Sequence, residues 1–465
     1  MSTDHDQRLL HKPIARRLFH EVAAGLPIID FHNHLDTRAL ADNHQFDNIA
    51  QLWVSSDPYK HRAMRIAGVP EYEITGNCSD RIKFNHWAQT LPQTIGGPLH
   101  AWTSLELQRY FQIETPLDPH SADTIWTSCN KQLTRPSYSA RGLLNRLGVT
   151  TVCTSDRLLD DLSAHEQLAQ SDYSVAVFPS LRADDICAVD QAHHLDWVQQ
   201  LASLTSRQIT DAETFWAAIE QRLDVFDALK CRLSDHALDD FHYETVNPST
   251  TQQLLNQHLQ GQALSHNAQQ ALRSGMLLQL GIAYARRGWT LQLHIGAQRA
   301  TSSRLRQLAG PAGGYASIGN TTDIPSLCRF LDQVEAHGQL PRTILYPLNP
   351  NDYAPLATLT GSYASDDIAG LVQLGPAWWF NDHDLGIREH LYQLSRYGIL
   401  HSFIGMTTDS RSLLSMVRHE YFRRVLCAWI SEQVEAGHLP NNFAALSQLV
   451  RALCYENAAN YLNLS

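Results

Sequence analysis

Two histidines one residue apart, His32 and His34, follow the apolar run Ile28-Ile29 through Asp30 and Phe31. Side chains two apart on a strand share a face, so both imidazoles point the same way. A pair so placed can chelate a borderline divalent metal such as zinc; the plainer alternative is two histidines hydrogen-bonded in a loop mouth. Near the other end of the chain, Thr407-Thr408-Asp409-Ser410-Arg411 sets Asp409 and Arg411 at the same spacing. If these two segments are neighbours, Asp409 supplies a third metal ligand and Arg411 faces the same cavity. Asp409 and Arg411 can instead cap the helix that follows or pair with each other.

Further candidates lie between these ends. His294, in Gln292-Leu293-His294, shares a face with Gln292 and fits a fourth metal ligand as well as it fits a substrate contact or a supporting role beside the metal. Arg182 and Arg299 offer planar forks that match a carboxylate, and Trp378-Trp379-Phe380 offers a flat wall against a sugar. Taken singly, an arginine of this kind more often makes a surface salt bridge, and an aromatic cluster more often packs. Around Arg232-Leu233-Ser234-Asp235-His236 there is no lysine able to bridge two metals, and Lys230 lies at the wrong end. One metal therefore fits better than two.

These residues need a scaffold that brings distant segments to one mouth. Short β-rich runs recur at 28–32, 150–154, 174–179, 229–234, 290–295, 343–348, 371–375 and 402–406, with helical patterns between them. Eight such alternations predict a (β/α)8 barrel, a TIM-type α/β fold, with a doubly wound sheet as the alternative. In a closed barrel the first and eighth strands are neighbours, as Asp409 requires. The first two runs stand more than a hundred residues apart, and residues 35–145 read as a helical insertion in the first loop, on the catalytic face. The whole chain, 1–465, reads as one catalytic domain carrying that insertion.

Composition narrows the function classes. A net charge of −11 and no basic tract argue against nucleic acid as a partner, and an acidic ligand must then be held by local arginines. No apolar run approaches the roughly 20 residues needed to span a bilayer, so no membrane association is expected. The eight cysteines are scattered without a CxxC pair, which fits a reducing compartment, and the expected location is cytoplasmic. No glycine-rich nucleotide fingerprint follows a strand, and no nucleotide cofactor is expected.

The motifs together resemble the uronate (glucuronate) isomerase family of the amidohydrolase superfamily. The resemblance is carried by His32–His34, Gln292–Arg299, Trp378–Asp382 and the long stretch Gly405–Arg424, and it extends through the insertion at Tyr59-Lys60-His61-Arg62. It implies a distorted (β/α)8 barrel in which His32, His34 and Asp409 ligate one metal, usually zinc. Beside that metal it puts His294, with Arg182, Arg299 and Trp378 at the substrate and Tyr59, Arg411 and Asp409 at the reacting end. It also implies a uronic-acid substrate and a homo-oligomer. Pro58 stands where the family usually has histidine, and Asn320 stands where it usually has aspartate.

The implied reaction is aldose–ketose isomerisation, D-glucuronate to D-fructuronate and D-galacturonate to D-tagaturonate. It moves a proton from C2 to C1 and needs an anionic enediolate stabilised. Tyr59 and Arg411 are the candidates for that transfer, and Asp409 for a hydroxyl proton. Two rival readings share the same residues: a mononuclear metal-dependent amidohydrolase or lactonase, and a sugar-acid binding protein without activity.

Overall fold

The computed structural model describes residues 8–299 and 301–464. Seven strands form one curled, wholly parallel sheet in chain order: β1 (Ile28–Asn33), β2 (Val149–Arg157), β3 (Ala176–Arg182), β4 (Leu233–Leu238), β5 (Thr290–Ile295), β6 (Thr343–Pro347) and β7 (Val372–Leu374). β5 and β6 are buried along their whole length, as expected of parallel strands covered by helices on one side and side chains on the other. The long gaps expected after the third and fourth runs are filled by two helices each, Ala212–Ala228 leading into β4 and His266–Arg287 into β5.

Two expected strands require correction. The eighth, at 402–406, is not a strand. Leu400–Ser402 is a single 3-10 turn, and the chain beyond it is extended without a ladder. Gly405 has φ +96°, and a Cβ there would collide with the Leu453 carbonyl oxygen, so the backbone twists out of strand geometry. Side-chain and isolated backbone hydrogen bonds together close the barrel instead. On one side the Gln373 amide donates to the Ser402 carbonyl (3.0 Å) and accepts from the Ile404 N–H (3.2 Å). On the other, the His32 N–H donates to Thr407 Oγ1 (2.8 Å), the Thr408 N–H to Asp30 (2.7 Å), and the Asp409 N–H to the His32 carbonyl (3.0 Å). The result is a distorted (β/α)8 barrel with an irregular seam of side-chain and backbone hydrogen bonds.

The fourth strand begins at Leu233 rather than 229. Leu229 caps the helix Ala212–Ala228, and Lys230 turns the chain with φ +62°. The apolar residues there belong to a helix end, and the strand proper carries Asp235 and Ala237 toward the barrel mouth.

Between β1 and β2 the chain is helical, with Thr37–Ala41, Ile49–Trp53, Pro58–Ile66, Asp80–Thr90, Pro98–Phe111, Ala122–Leu133 and Ala140–Arg146 as its main segments. Asp36, Asn48, Asp57 and Ser79 cap four of them through side-chain acceptors. Pro58 occupies the first turn of its helix, where a missing N–H costs nothing. A long buried helix, Val417–Glu435, carries Arg418, Arg423 and Arg424 inward beneath this region.

Candidate functional site

β1 ends in His32 and His34, whose Nε2 atoms lie 3.3 and 2.9 Å from the same oxygen, Asp409 Oδ1. Nitrogen and oxygen donors of the three residues fall within 4.8 Å of one another. Two imidazoles and a carboxylate converging on one point form a donor set suited to a divalent cation. The other carboxylate oxygen, Asp409 Oδ2, accepts indole N–H bonds from Trp378 (2.6 Å) and Trp379 (2.5 Å). Asp409 itself sits at φ +47°, a left-handed conformation that aspartate tolerates better than most residues. Burial favours its protonated form, but hydrogen bonds from His32 and His34 outweigh that and hold the carboxyl well below its ordinary range.

On β5, Gln292 and His294 face the interior together, as strand alternation requires. Tyr346 donates to Gln292 (2.7 Å) and stacks on the His294 ring at 4.2 Å between centroids. His294 Nδ1 lies 2.7 Å from Asp235 Oδ1 on β4, while His294 Nε2 is buried with no partner. Burial pushes the His294 pKa down despite Asp235, so the ring is neutral with Nδ1 as the donor and Nε2 as a free acceptor. Asp235 was not singled out by the sequence reading, because placing the fourth strand too early put it in a loop. In the β4–β5 register Asp235 lies opposite Gln292, and its side chain reaches diagonally to His294.

Tyr59 stands on the second position of its helix with its hydroxyl buried and unpartnered. Burial pushes its pKa up, and the Arg418 guanidinium, 4.5 Å from the ring centroid, only partly opposes this. The group is a phenol at neutral pH, a donor rather than a base. Arg411 is exposed at the mouth, and desolvation shifts it below its ordinary value although Asp409 pulls the other way.

All nine residues singled out from the sequence (His32, His34, Tyr59, Arg182, His294, Arg299, Trp378, Asp409, Arg411) line one cavity of about 320 Å³. It also takes in Trp379 and Phe380 of the expected aromatic wall, and Asp235, Arg62, Arg157 and Tyr315, which carried no assignment. Trp378 is more than a wall, because its indole N–H is committed to Asp409. Tyr315 comes from the excursion after β5, where no periodic pattern marks it. Arg182 pairs with Asp184 (2.9 Å), Arg299 with Asp239, and Arg157 with Asp185 (3.8 Å). Asn320 lies outside the cavity, 3.4 Å from Asp240.

A parallel barrel whose strand ends bear a His-X-His pair, an aspartate from the closing segment and a ring of arginines defines an α/β-barrel enzyme class suited to an anionic substrate. Comparison with known proteins makes this specific. Residues 1–462 match the model of the glucuronate isomerase family, and the chain belongs to that family. It is 42% identical over 457 residues to a uronate isomerase of Salmonella arizonae, covering 97% of each chain. The uronate isomerase of Thermotoga maritima superposes with a TM-score of 0.92 at 29% identity, over 98% of this chain and 99% of that one. The glucuronate isomerase of Caulobacter crescentus superposes at 0.90 with 21% identity, over 100% and 96%, and so shares the fold.

Proposed function

We propose that this chain isomerises D-glucuronate to D-fructuronate and D-galacturonate to D-tagaturonate, reversibly, within a single barrel domain whose 35–145 insertion faces the substrate. The observation that carries the reading is membership of the glucuronate isomerase family along nearly the whole chain. The cavity supports it, since it concentrates cationic forks beside a metal-ligand triad.

In this reading His32, His34 and Asp409 hold one divalent metal, and zinc suits their nitrogen and oxygen donors. When bound, the metal supplies Lewis-acid stabilisation to substrate oxygens and to enediolate charge. Arg182 and Arg299 grip anionic oxygens of the open-chain sugar. Trp378 holds Asp409 in place while its ring borders the substrate. Asp409 takes up and returns a hydroxyl proton. Tyr59, a phenol, donates a hydrogen bond to a substrate oxygen, and Arg411, which desolvation shifts downward, takes the proton from C2 and returns it to C1, while the hydroxyl proton passes from O2 to O1. No electron leaves the substrate, so no nucleotide cofactor is required. His294, neutral and oriented by Asp235, accepts a substrate hydroxyl at Nε2.

A cytoplasmic location is proposed on the eight free cysteines, and a homo-oligomer on the family resemblance. Among the described residues no helix is long and apolar enough to cross a membrane.

The test is proton NMR of the purified, metal-supplied protein with each uronate in heavy water. The expected result is the keto-uronate, with hydrogen largely retained at C1 if the transfer is shielded from solvent. If neither sugar yields a ketose, the reading is wrong, and amides and lactones become the substrates to try.

A further inference from the structure

Arg182 is the last residue of β3 and lines the cavity, whereas Asp184, two residues on, does not. Asp184 opens a 3-10 turn that carries the chain away from the sheet. The β3–β4 ladder pairs Leu181 with Ser234 and Arg182 with Asp235, and the Ala183 N–H then donates to the Asp235 carbonyl (3.0 Å). One step further the backbone of β3 is no longer present. There the Asp184 side chain takes over: Oδ1 accepts the Ala237 N–H at 2.7 Å, as a strand carbonyl would. Oδ2 accepts from Arg182 Nε at 2.9 Å.

Both carboxylate oxygens are therefore committed, one to each strand, and the carboxylate is fixed before it meets the guanidinium. A guanidinium held at Nε by a fixed acceptor has its plane and direction set, with the Nη1–Nη2 edge left for another anion. Asp184 approaches from behind, where it lines a separate cavity of about 440 Å³ rather than the one containing the metal-ligand triad.

We infer that Asp184, tied to β4 through Ala237, is a positioning residue that aims the Arg182 fork at the anionic substrate, its effect on turnover passing through Arg182. The inference rests on the isomerase reading for its kinetic consequence, but its geometric content does not.

The test uses the full-length, metal-supplied enzyme as wild type, Asp184→Asn, Arg182→Met and the double variant. An asparagine oxygen can accept from Ala237 or from Arg182 Nε, and its NH2 repels the other donor. With D-glucuronate, Asp184→Asn raises KM about tenfold and changes kcat by less than about threefold, as loss of a binding contact should. In the Arg182→Met background the same change has no further effect on kcat/KM, because the group it positions is gone. An effect of equal size in both backgrounds overturns the inference and makes Asp184 a structural cap of β4. A crystal structure of Asp184→Asn decides the geometry whatever the reaction proves to be: the Arg182 guanidinium leaves its present direction while β3 and β4 stay paired. An unmoved Arg182 overturns the inference. Absence of turnover by the wild type with both uronates sinks the isomerase reading, and leaves the crystallographic result to judge this one.

Discussion

His294 and Asp235 are joined by a 2.7 Å bond between Nδ1 and Oδ1, across two adjacent strands and in full burial. The bond fixes which ring nitrogen carries the proton and leaves Nε2 as an acceptor in the cavity. Asp235→Asn preserves size but can turn its amide N–H toward Nδ1, which reverses the tautomer. The expected result is a fall in kcat/KM of about 10²-fold or more, within the range for mispositioned acid–base groups. Steady-state kinetics checks it, and activity within threefold of wild type would refute the role.

The triad His32, His34 and Asp409 should bind metal only when complete. After chelation, returning zinc is expected to raise the melting temperature, since a ligand at 100 times its Kd stabilises the folded state by about 2.7 kcal/mol. His34→Ala should abolish that rise and lower bound metal measured by elemental analysis. A variant that still binds one zinc per chain would remove His34 from the ligand set.

Asp409 Oδ2 takes N–H bonds from both Trp378 and Trp379. Trp379→Phe deletes one donor and keeps most of the aromatic surface. Partners that hold a ligand in place typically matter about 10- to 100-fold for metal affinity or activity. A loss of that order in zinc affinity is expected, measured by competition with a chromophoric chelator.

Gly405 shapes the seam that replaces the eighth strand. Alanine there meets both a positive φ and the Leu453 carbonyl oxygen. A destabilisation of roughly 2–5 kcal/mol is expected from the strain and the overpacking together. Urea denaturation checks it, and a change under 1 kcal/mol would mean that the seam relaxes freely.

Burial pushes the Asp156 carboxyl up to about 7, against the Thr154 hydroxyl that lowers it. His165, 3.5 Å away, supplies no counter-charge, because burial pushes its own pKa down to about 4. Between about pH 4 and 7 the folded state holds a proton at Asp156 that the unfolded state has released. Taken alone, Asp156 makes stability decline as pH rises through that window, by up to roughly 4 kcal/mol at about 1.4 kcal/mol per pH unit. The depressed His165 contributes an opposing rise of roughly 3 kcal/mol between about pH 4 and 6.5, so the two largely offset. Asp156→Asn removes the declining contribution and leaves that of His165, so stability should rise more steeply from pH 4 to about 6.5 in melts taken from pH 4 to 8. An unchanged slope would place the effect elsewhere.

Much of the site was legible because it depends on spacing within single elements. Residues two apart on a strand must share a face, so His32 with His34 and Gln292 with His294 follow from chain geometry alone. The family motif around Asp409 and Arg411 then indicated a partner for the histidine pair. The meeting of Asp409 with His32 and His34 followed from barrel closure, but other contacts between elements did not. Asp235 acquired its place only when β4 packed beside β5, because the apolar residues at 229–231 mimic a strand start that tertiary packing assigns to a helix end. The eighth stave failed as a strand for a related reason: Gly405 takes a positive φ, and the Asp30, Gln373 and Thr407 side chains take up hydrogen bonds that a regular ladder would have made. The sequence by itself determined which side chains point together, since that is set by covalent geometry and local period. Only the tertiary structure decided where β4 begins, that Asp235 reaches His294 and how the barrel closes at its last stave, because those contacts arise from packing and burial.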